Sequence, residues 1–238
     1  MITLTPLQDF FSEGQVLLID KPLEWTSHDV VAKIRNAIKI KKVGHAGTLD
    51  PLATGLLILC TGKFTKRINE YMAQEKEYTG TITLGAETPT YDLESVPENF
   101  KPIEHITLDM IKDAALHFTG EISQLPPKHS AVKQKGKPVY LLARAGKEVV
   151  LEPRKIHIKN FDILSCDRIQ DTAVISFRVV CSTGTYIRSL AHDLGQYLGC
   201  GGYLSGLRRT RIGDYSVDKA RSVDETISWI REIAKKDN

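Results

Sequence analysis

The sequence predicts a mixed α+β domain built on a mostly antiparallel sheet, and three observations point there. Two strand-like segments, residues 154–164 and 172–181, follow one another with no helix between them. Residues 77–86 (EYTGTITLGA) alternate with period two, placing Tyr78, Gly80, Ile82 and Leu84 on one face and Thr79, Thr81 and Thr83 on the other. A doubly wound parallel sheet would instead require a helix after nearly every strand. No repeat, linker or low-complexity tract divides the 238 residues, so a single domain over 1–238 is expected.

The elements can be justified in order. Residues 15–20 (QVLLID) are a short apolar run stopped by Lys21-Pro22 and read as a buried strand. Thr26, with Asp29 three residues later, opens a helix in the looser Thr/Asp form of a capping box; Val30, Val31, Ile34, Ala37 and Ile38 then recur at helical spacing. That helix ends in Lys39, Lys41 and Lys42, for which the helix dipole is a sufficient reason and phosphate binding the alternative. Residues 55–60 (GLLILC) read as a strand, and Phe64, Ile68, Tyr71 and Met72 mark one face of a helix. Residues 87–104 lack periodicity and read as a surface loop, after which Thr107 is placed to cap a helix turning Leu108, Ile111, Ala115 and Phe118 inward.

Residues 121–152 break this rhythm. They carry Pro126-Pro127 and many lysines, with only a short helical pattern near 140–145, and a loop of that length is usually functional or disordered. After the two strands, residues 181–202 run from a strand through a Ser-Thr-Gly-Thr turn into a helix bearing Ile187, Leu190, Ala191, Leu194 and Leu198. Residues 204–212 form an arginine-rich strand (Arg208, Arg209, Arg211). Ser222 and Glu225 box the start of a last helix with Val223, Ile227, Ile230 and Ile233 inward.

Composition excludes several classes. No apolar run approaches the roughly 20 residues needed to cross a bilayer, and the N-terminus lacks a secretory pattern. Cys60, Cys166, Cys181 and Cys200 form neither a CxxC pair nor a zinc spacing, and read as reduced, mostly buried thiols of a cytoplasmic protein. The net charge of +3 says little, but its distribution says more. Residues 128–155 hold eight Lys/Arg against two acids, while 87–104 hold five acids against one lysine. Such asymmetry suggests an arm made for a polyanion, with a solvated basic loop as the alternative.

Candidate chemistry centres on residues 44–55, GHAGTLDPLATG. Three glycines and Pro51 should make a stiff irregular loop holding one acid, Asp50. Two readings are open: a helix cap with Pro51 at the first helical position, or an acid placed for chemistry. No phosphate-binding glycine loop, metal-ligand cluster or serine elbow is present in the sequence, so chemistry would rest on Asp50, Tyr78, Arg188 and histidines with no visible cofactor. A carboxylate nucleophile must stay ionised in a dry site, which burial opposes and an arginine such as Arg188 restores. Tyr78 can stack on a base lifted from its helix and offers a hydroxyl. His192-Asp193 could pair as a base and its orienter, but both sit on a predicted amphipathic helix, which favours a solvated face.

The motifs LLIDKPLEWTSHDVV (17–31), GHAGTLDPLATGLLILCTGKFTK (44–66), KEYTGTITLGAETPTYD (76–92), GEISQLPPKHSAVKQKGKPVYLLARAGKEV (120–149), CSTGTYIRSLAHDLGQYLGCGGYLSGLRRTRIG (181–213) and SVDKA (216–220) occur in this order. Together they resemble the TruB family of tRNA pseudouridine synthases, which isomerise uridine 55 in the T-loop. The resemblance implies the pseudouridine synthase fold, a central mixed, mostly antiparallel sheet flanked by helices with the catalytic loop in a cleft. It implies that Asp50 attacks the target nucleotide, that Tyr78 stacks on the flipped uracil and can take its C5 proton, and that Arg188 pairs with the acid. It places Tyr186 and Leu207 at the uracil pocket, His45 at base extrusion, and Lys21 and Pro22 beside the site, in contact or in packing. Residues 121–152 correspond to a basic insertion that closes over the T-arm. The expected partner is tRNA, with no membrane, no obligate protein partner and a monomeric state. No metal or other cofactor is called for. Longer family members continue into a C-terminal RNA-binding module that is not evident here, which disfavours a guide-RNA-dependent synthase of the dyskerin type. A non-catalytic tRNA-folding chaperone using the same pocket is the alternative function.

Overall fold

The predicted elements recur in order, with additions at α1, β5 and the short strands β2, β6, β7, β11 and β12. Helix α1 (Pro6–Glu13) precedes β1 (Val16–Lys21), α2 (Ser27–Ile38), β2 (Val43–His45), β3 (Ala53–Thr61) and a 3-10 turn leading into α3 (Ile68–Met72). Next come β4 (Lys76–Leu84), α4 (Leu108–His117), β5 (Gly120–Gln124), the short pair β6 (Lys133–Gln134) and β7 (Lys137–Pro138), and the hairpin β8 (Arg154–Ile169) and β9 (Thr172–Cys181). The chain continues through α5 (Ile187–Tyr197), β10 (Gly202–Ile212), β11 (Tyr215–Ser216), β12 (Arg221–Ser222) and α6 (Val223–Lys236). The computed structural model describes residues 5–127, 133–134, 137–138 and 151–236. The helical pattern near 140–145, and most of the basic insertion, lie outside the described residues.

Two compact units emerge, residues 1–78 with 208–238, and residues 79–207. The divide falls inside β4, after Tyr78, and inside β10, after Leu207.

In the first unit the strand order is β12-β1-β3-β10-β4, with β2 on β3 and β11 on β10. Strand β1 runs antiparallel to β3, from Val16↔Cys60 to Lys21↔Gly55, and β12 joins β1 in parallel. Both faces of β3 are covered. Leu57 and Leu59 pack with Phe11, Ile19, Ile34 and Ile230 from the strand and helices on one side. Leu56, Ile58 and Cys60 pack with Tyr71 and Ile212 on the other. That two-sided burial is why the segment reads as an unbroken apolar run, and each such aliphatic contributes about 1.5–3 kcal/mol. Gly55 has φ +101°, and a Cβ there would lie 2.3 Å from the Arg209 carbonyl oxygen, so the neighbouring strand β10 leaves no room for a side chain here. Helix α1 was signalled by Thr5 and Gln8, which form a full reciprocal capping box with Pro6 at the first turn.

In the second unit the order is β10-β4-β9-β8-β5. On β9, Ala173, Ile175, Phe177 and Val179 face the core as the alternation predicts. On α5 the predicted stripe Ile187, Leu190, Ala191 and Leu194 is buried. A Cβ on Gly195 would fall 2.1 Å from the Gly202 nitrogen, so α5 rests on the start of β10 with no side chain between them. Two expectations change here. The inward stripe of α4 is Ile111, Ala114 and Ala115, while Leu108, at the first helical position, is exposed. Residues 120–124, read as irregular, form β5 against β8 from Gly120↔Ile158 to Gln124↔Arg154. With Ile122 as its one large apolar residue, β5 carries no alternation of its own; its partner supplies the pairing. The ladders β1–β3, β2–β3, β5–β8, β8–β9 and β10–β11 are antiparallel, so the sheet structure is mixed and mostly antiparallel, as predicted.

Candidate active site

Asp50 lies half-buried in the loop between β2 and β3. No helix begins there. The Ala53 amide donates to the Asp50 carbonyl at 3.0 Å and the chain turns straight into β3, which removes the helix-cap reading. The backbone on either side of Asp50 is pinned. Ser27 Oγ receives the Leu49 amide at 2.9 Å and lies 3.2 Å from the Leu49 carbonyl oxygen, to which it can donate. The Pro51 carbonyl accepts the Glu24 amide at 2.9 Å.

Two buried cations complete the frame. Lys21 is 0% exposed, and its ammonium donates to the carbonyls of Pro22 (2.8 Å), Trp25 (2.5 Å) and Pro51 (3.4 Å). Burial pulls its pKa down to about 8; the negative charge of Asp50 opposes that shift, and nearby Arg209 reinforces it. Lys21 was expected to meet substrate or to pack. Here its ammonium is engaged by these three carbonyls. Arg209 is 1% exposed and donates from Nε to the Leu56 carbonyl at 2.8 Å and from Nη2 to the Gly47 carbonyl at 3.0 Å. A lysine and an arginine thus bind the loop by charge-assisted bonds to carbonyl oxygens.

His45 ends β2 on the near side of this loop. Its Nδ1 is buried with no hydrogen-bond partner among the described residues. Burial depresses its pKa, helped by Arg209 and His28 and opposed by a bond to the Gly47 backbone. Tyr78 is buried in β4 at the edge of this first unit. The Cys60 thiol, raised to about 11 by burial, is an inert core group. Among the described residues no group of three or more His, Cys, Asp or Glu is placed to hold a metal.

The remaining expected residues belong to the second unit. Arg188 is 5% exposed in the first turn of α5. Its Nη1 lies 3.5 Å from Asp92 Oδ2 and 3.5 Å from the Thr90 carbonyl. Asp92 is itself 4% exposed and uses Oδ1 to accept the Glu94 amide at 3.0 Å, so both carboxylate oxygens are committed. Tyr186 caps α5 through its backbone: its amide donates to Gln124 Oε1 at 2.9 Å and its carbonyl accepts from Gln124 Nε2 at 3.0 Å. That pair leaves the Tyr186 ring half-buried, and Leu207 is half-buried on β10.

Two family models match the chain in succession. Residues 35–187 fit the N-terminal domain of TruB family pseudouridylate synthases, and residues 188–232 fit the C-terminal domain of tRNA pseudouridylate synthase B. The chain belongs to the TruB family. A relative from Phocaeicola vulgatus named tRNA pseudouridine synthase B is 48% identical over 226 residues, covering 92% of this chain and 94% of the relative. Another of that name, from Flavobacterium johnsoniae, is 51% identical over 217 residues, covering 88% and 93%. Among solved structures, a chain of a Cbf5-Nop10-Gar1 complex is 29% identical with TM-score 0.71, covering 94% of this chain and 56% of that one. This TruB chain therefore spans just over half of that solved chain and nearly all of the bacterial relatives.

Within the TruB frame, Asp92 and Arg209 are residues that sequence reasoning gave no role. Asp92 is one of five acids in residues 87–104, and nothing in the spacing separates it from the other four. Arg209 stood in an arginine-rich strand whose three arginines look alike until burial distinguishes them. His192 and Asp193 need correction. They are not a solvated face: His192 stacks on Tyr91 with ring centroids 3.9 Å apart, and burial lifts the Asp193 carboxyl to about 6.

Proposed function

We propose that this tRNA pseudouridine synthase isomerises uridine 55 in the T-loop, with Asp50 as the acid that attacks the extruded nucleotide. The reaction breaks N1–C1′, turns the uracil and rejoins it through C5, with no net redox change, so it calls for no cofactor. Attack at C1′, addition at C6 and elimination at C2′ are all open to a carboxylate held in this way. In this reading Arg188 keeps Asp50 anionic, Tyr78 stacks on the uracil and is placed to take the C5 proton, and Tyr186 and Leu207 line the uracil pocket. His45 assists extrusion. Lys21 serves the loop rather than the nucleotide.

The observation that carries the reading is the frame around Asp50: Ser27, Glu24, Lys21 and Arg209 fix the loop backbone and leave its single acid as the group placed for chemistry. Under the same proposal the chain works as one catalytic domain with a basic insertion at about 121–152, a monomer in the cytoplasm. Its tRNA affinity falls with salt, because phosphate contacts release counterions.

The test is to incubate the purified chain with an unmodified tRNA transcript and map pseudouridine chemically. Product at position 55 is expected, with a loss of roughly 10³-fold or more in Asp50→Asn under single-turnover conditions. Binding without product would overturn the enzyme reading, and full activity in Asp50→Asn would overturn the assignment of the acid.

A further inference from the structure

Three turns of α5 grip the segment that follows β4. Arg188, His192 and Gln196 stand at i, i+4 and i+8 and so share one face of the helix. Arg188 reaches Asp92 and the Thr90 carbonyl, the His192 ring lies on Tyr91 at an interplanar angle of 14°, and Lys101 first and Gln196 second hold the Glu87 carboxyl below its ordinary pKa. Glu87 is held by Lys101 at 2.7 Å.

The middle contact carries the most strain. Tyr91 has φ +64°, a left-handed conformation that a bulky side chain adopts only where its surroundings impose it. Its amide closes a turn on the Thr88 carbonyl at 3.1 Å, and its carbonyl accepts the Leu204 amide at 2.9 Å. The residue that follows is Asp92. The left-handed step at Tyr91 therefore sets the direction of the Asp92 side chain, and the His192 ring is stacked on the residue that takes that step.

We propose that the Tyr91–His192 stack is a positioning element for the reaction, holding residues 90–92 in the turn that presents the Asp92 carboxylate and the Thr90 carbonyl to Arg188. His192 is a positioning residue rather than a catalytic one, since its ring is committed to Tyr91. The proposal rests on the reading that Arg188 serves the catalytic acid. It requires a flat ring at position 192, not its basicity and not apolar bulk.

The test compares His192→Leu with His192→Phe in the full chain. Leucine is the better helix former, so a helix-stability effect would favour the leucine variant, whereas the stack favours phenylalanine. With an unmodified tRNA transcript, His192→Leu should slow the single-turnover rate by about tenfold at unchanged tRNA Kd, and His192→Phe should restore it to within about twofold of wild type. Amide hydrogen exchange in the peptide spanning 87–92 should quicken in His192→Leu and return in His192→Phe. A wild-type rate in His192→Leu, an equally slow His192→Phe, or a Kd that changes in step with the rate would overturn the proposal. Should the wild type form no pseudouridine on tRNA, the functional reading falls. Exchange alone then decides the positioning claim, and equal exchange in wild type and His192→Leu overturns it.

Discussion

Lys21 in the first unit and Arg188 in the second are both buried cations, and they are held in different ways. Lys21 donates to the carbonyl oxygens of residues 22, 25 and 51, and its pKa falls because burial strips the ammonium of water, a shift that Asp50 opposes and Arg209 reinforces. Arg188 faces a buried carboxylate, Asp92, whose second oxygen is already occupied by a backbone amide. The contrast suits the parts. A lysine meeting carbonyls fastens a loop. An arginine meeting a carboxylate stays charged and oriented.

This comparison can be broken at its strongest point first. Asp92→Ala removes the counter-charge of a nearly buried arginine and should cost about 3–5 kcal/mol, read from urea denaturation. Combining it with Arg188→Met should recover part of that loss, and additive losses would show that the pair is not coupled.

Lys21→Met should cost less, about 1–3 kcal/mol, because the stranded groups are neutral carbonyls. Its pH dependence has a definite sign. With the folded value near 8 against 10.5 for the free side chain, the unfolded chain binds the proton that folded Lys21 has released between those values. The stability that Lys21 contributes is complete above about 10.5 and declines as pH falls to about 8. Wild type should therefore gain on Lys21→Met between pH 8 and 10, and a constant difference would refute the assigned shift.

Asp193 gives a stabilising variant of smaller size. Its folded value near 6 lies above the ordinary 3.8, so its contribution is present below 3.8 and lost as pH rises through 6. Asp193→Asn should be more stable than wild type at pH 7.5 by about 1–2 kcal/mol, and this gain should shrink toward pH 4. Least of all, replacing Lys63 or Glu13 by Ala should leave the urea midpoint unchanged, since their 2.7 Å ion pair is about two-thirds exposed on both sides.

Much of the fold was legible because its signals are local. The Thr26–Asp29 and Ser222–Glu225 boxes, the alternation of residues 172–181 and the helical stripe of α5 are each encoded within a few residues, and each formed where expected. Strand β5 was not legible, since its pairing comes from β8, more than thirty residues away. Asp50 could be singled out from its glycines and proline, yet the helix-cap reading survived until the turn at Ala53 excluded it.

The sequence by itself determined most of the elements, the single acid of the 44–55 loop and the ordered motifs that mark the family. Tertiary structure decided which polar groups hold them. Lys21, Arg209, Asp92 and His192 carry no local signature, because their partners are carbonyls, a carboxylate and a ring brought close only by folding. A side chain's period along the chain reports which face it is on. Burial and partner fix what that side chain does, and both belong to the folded state.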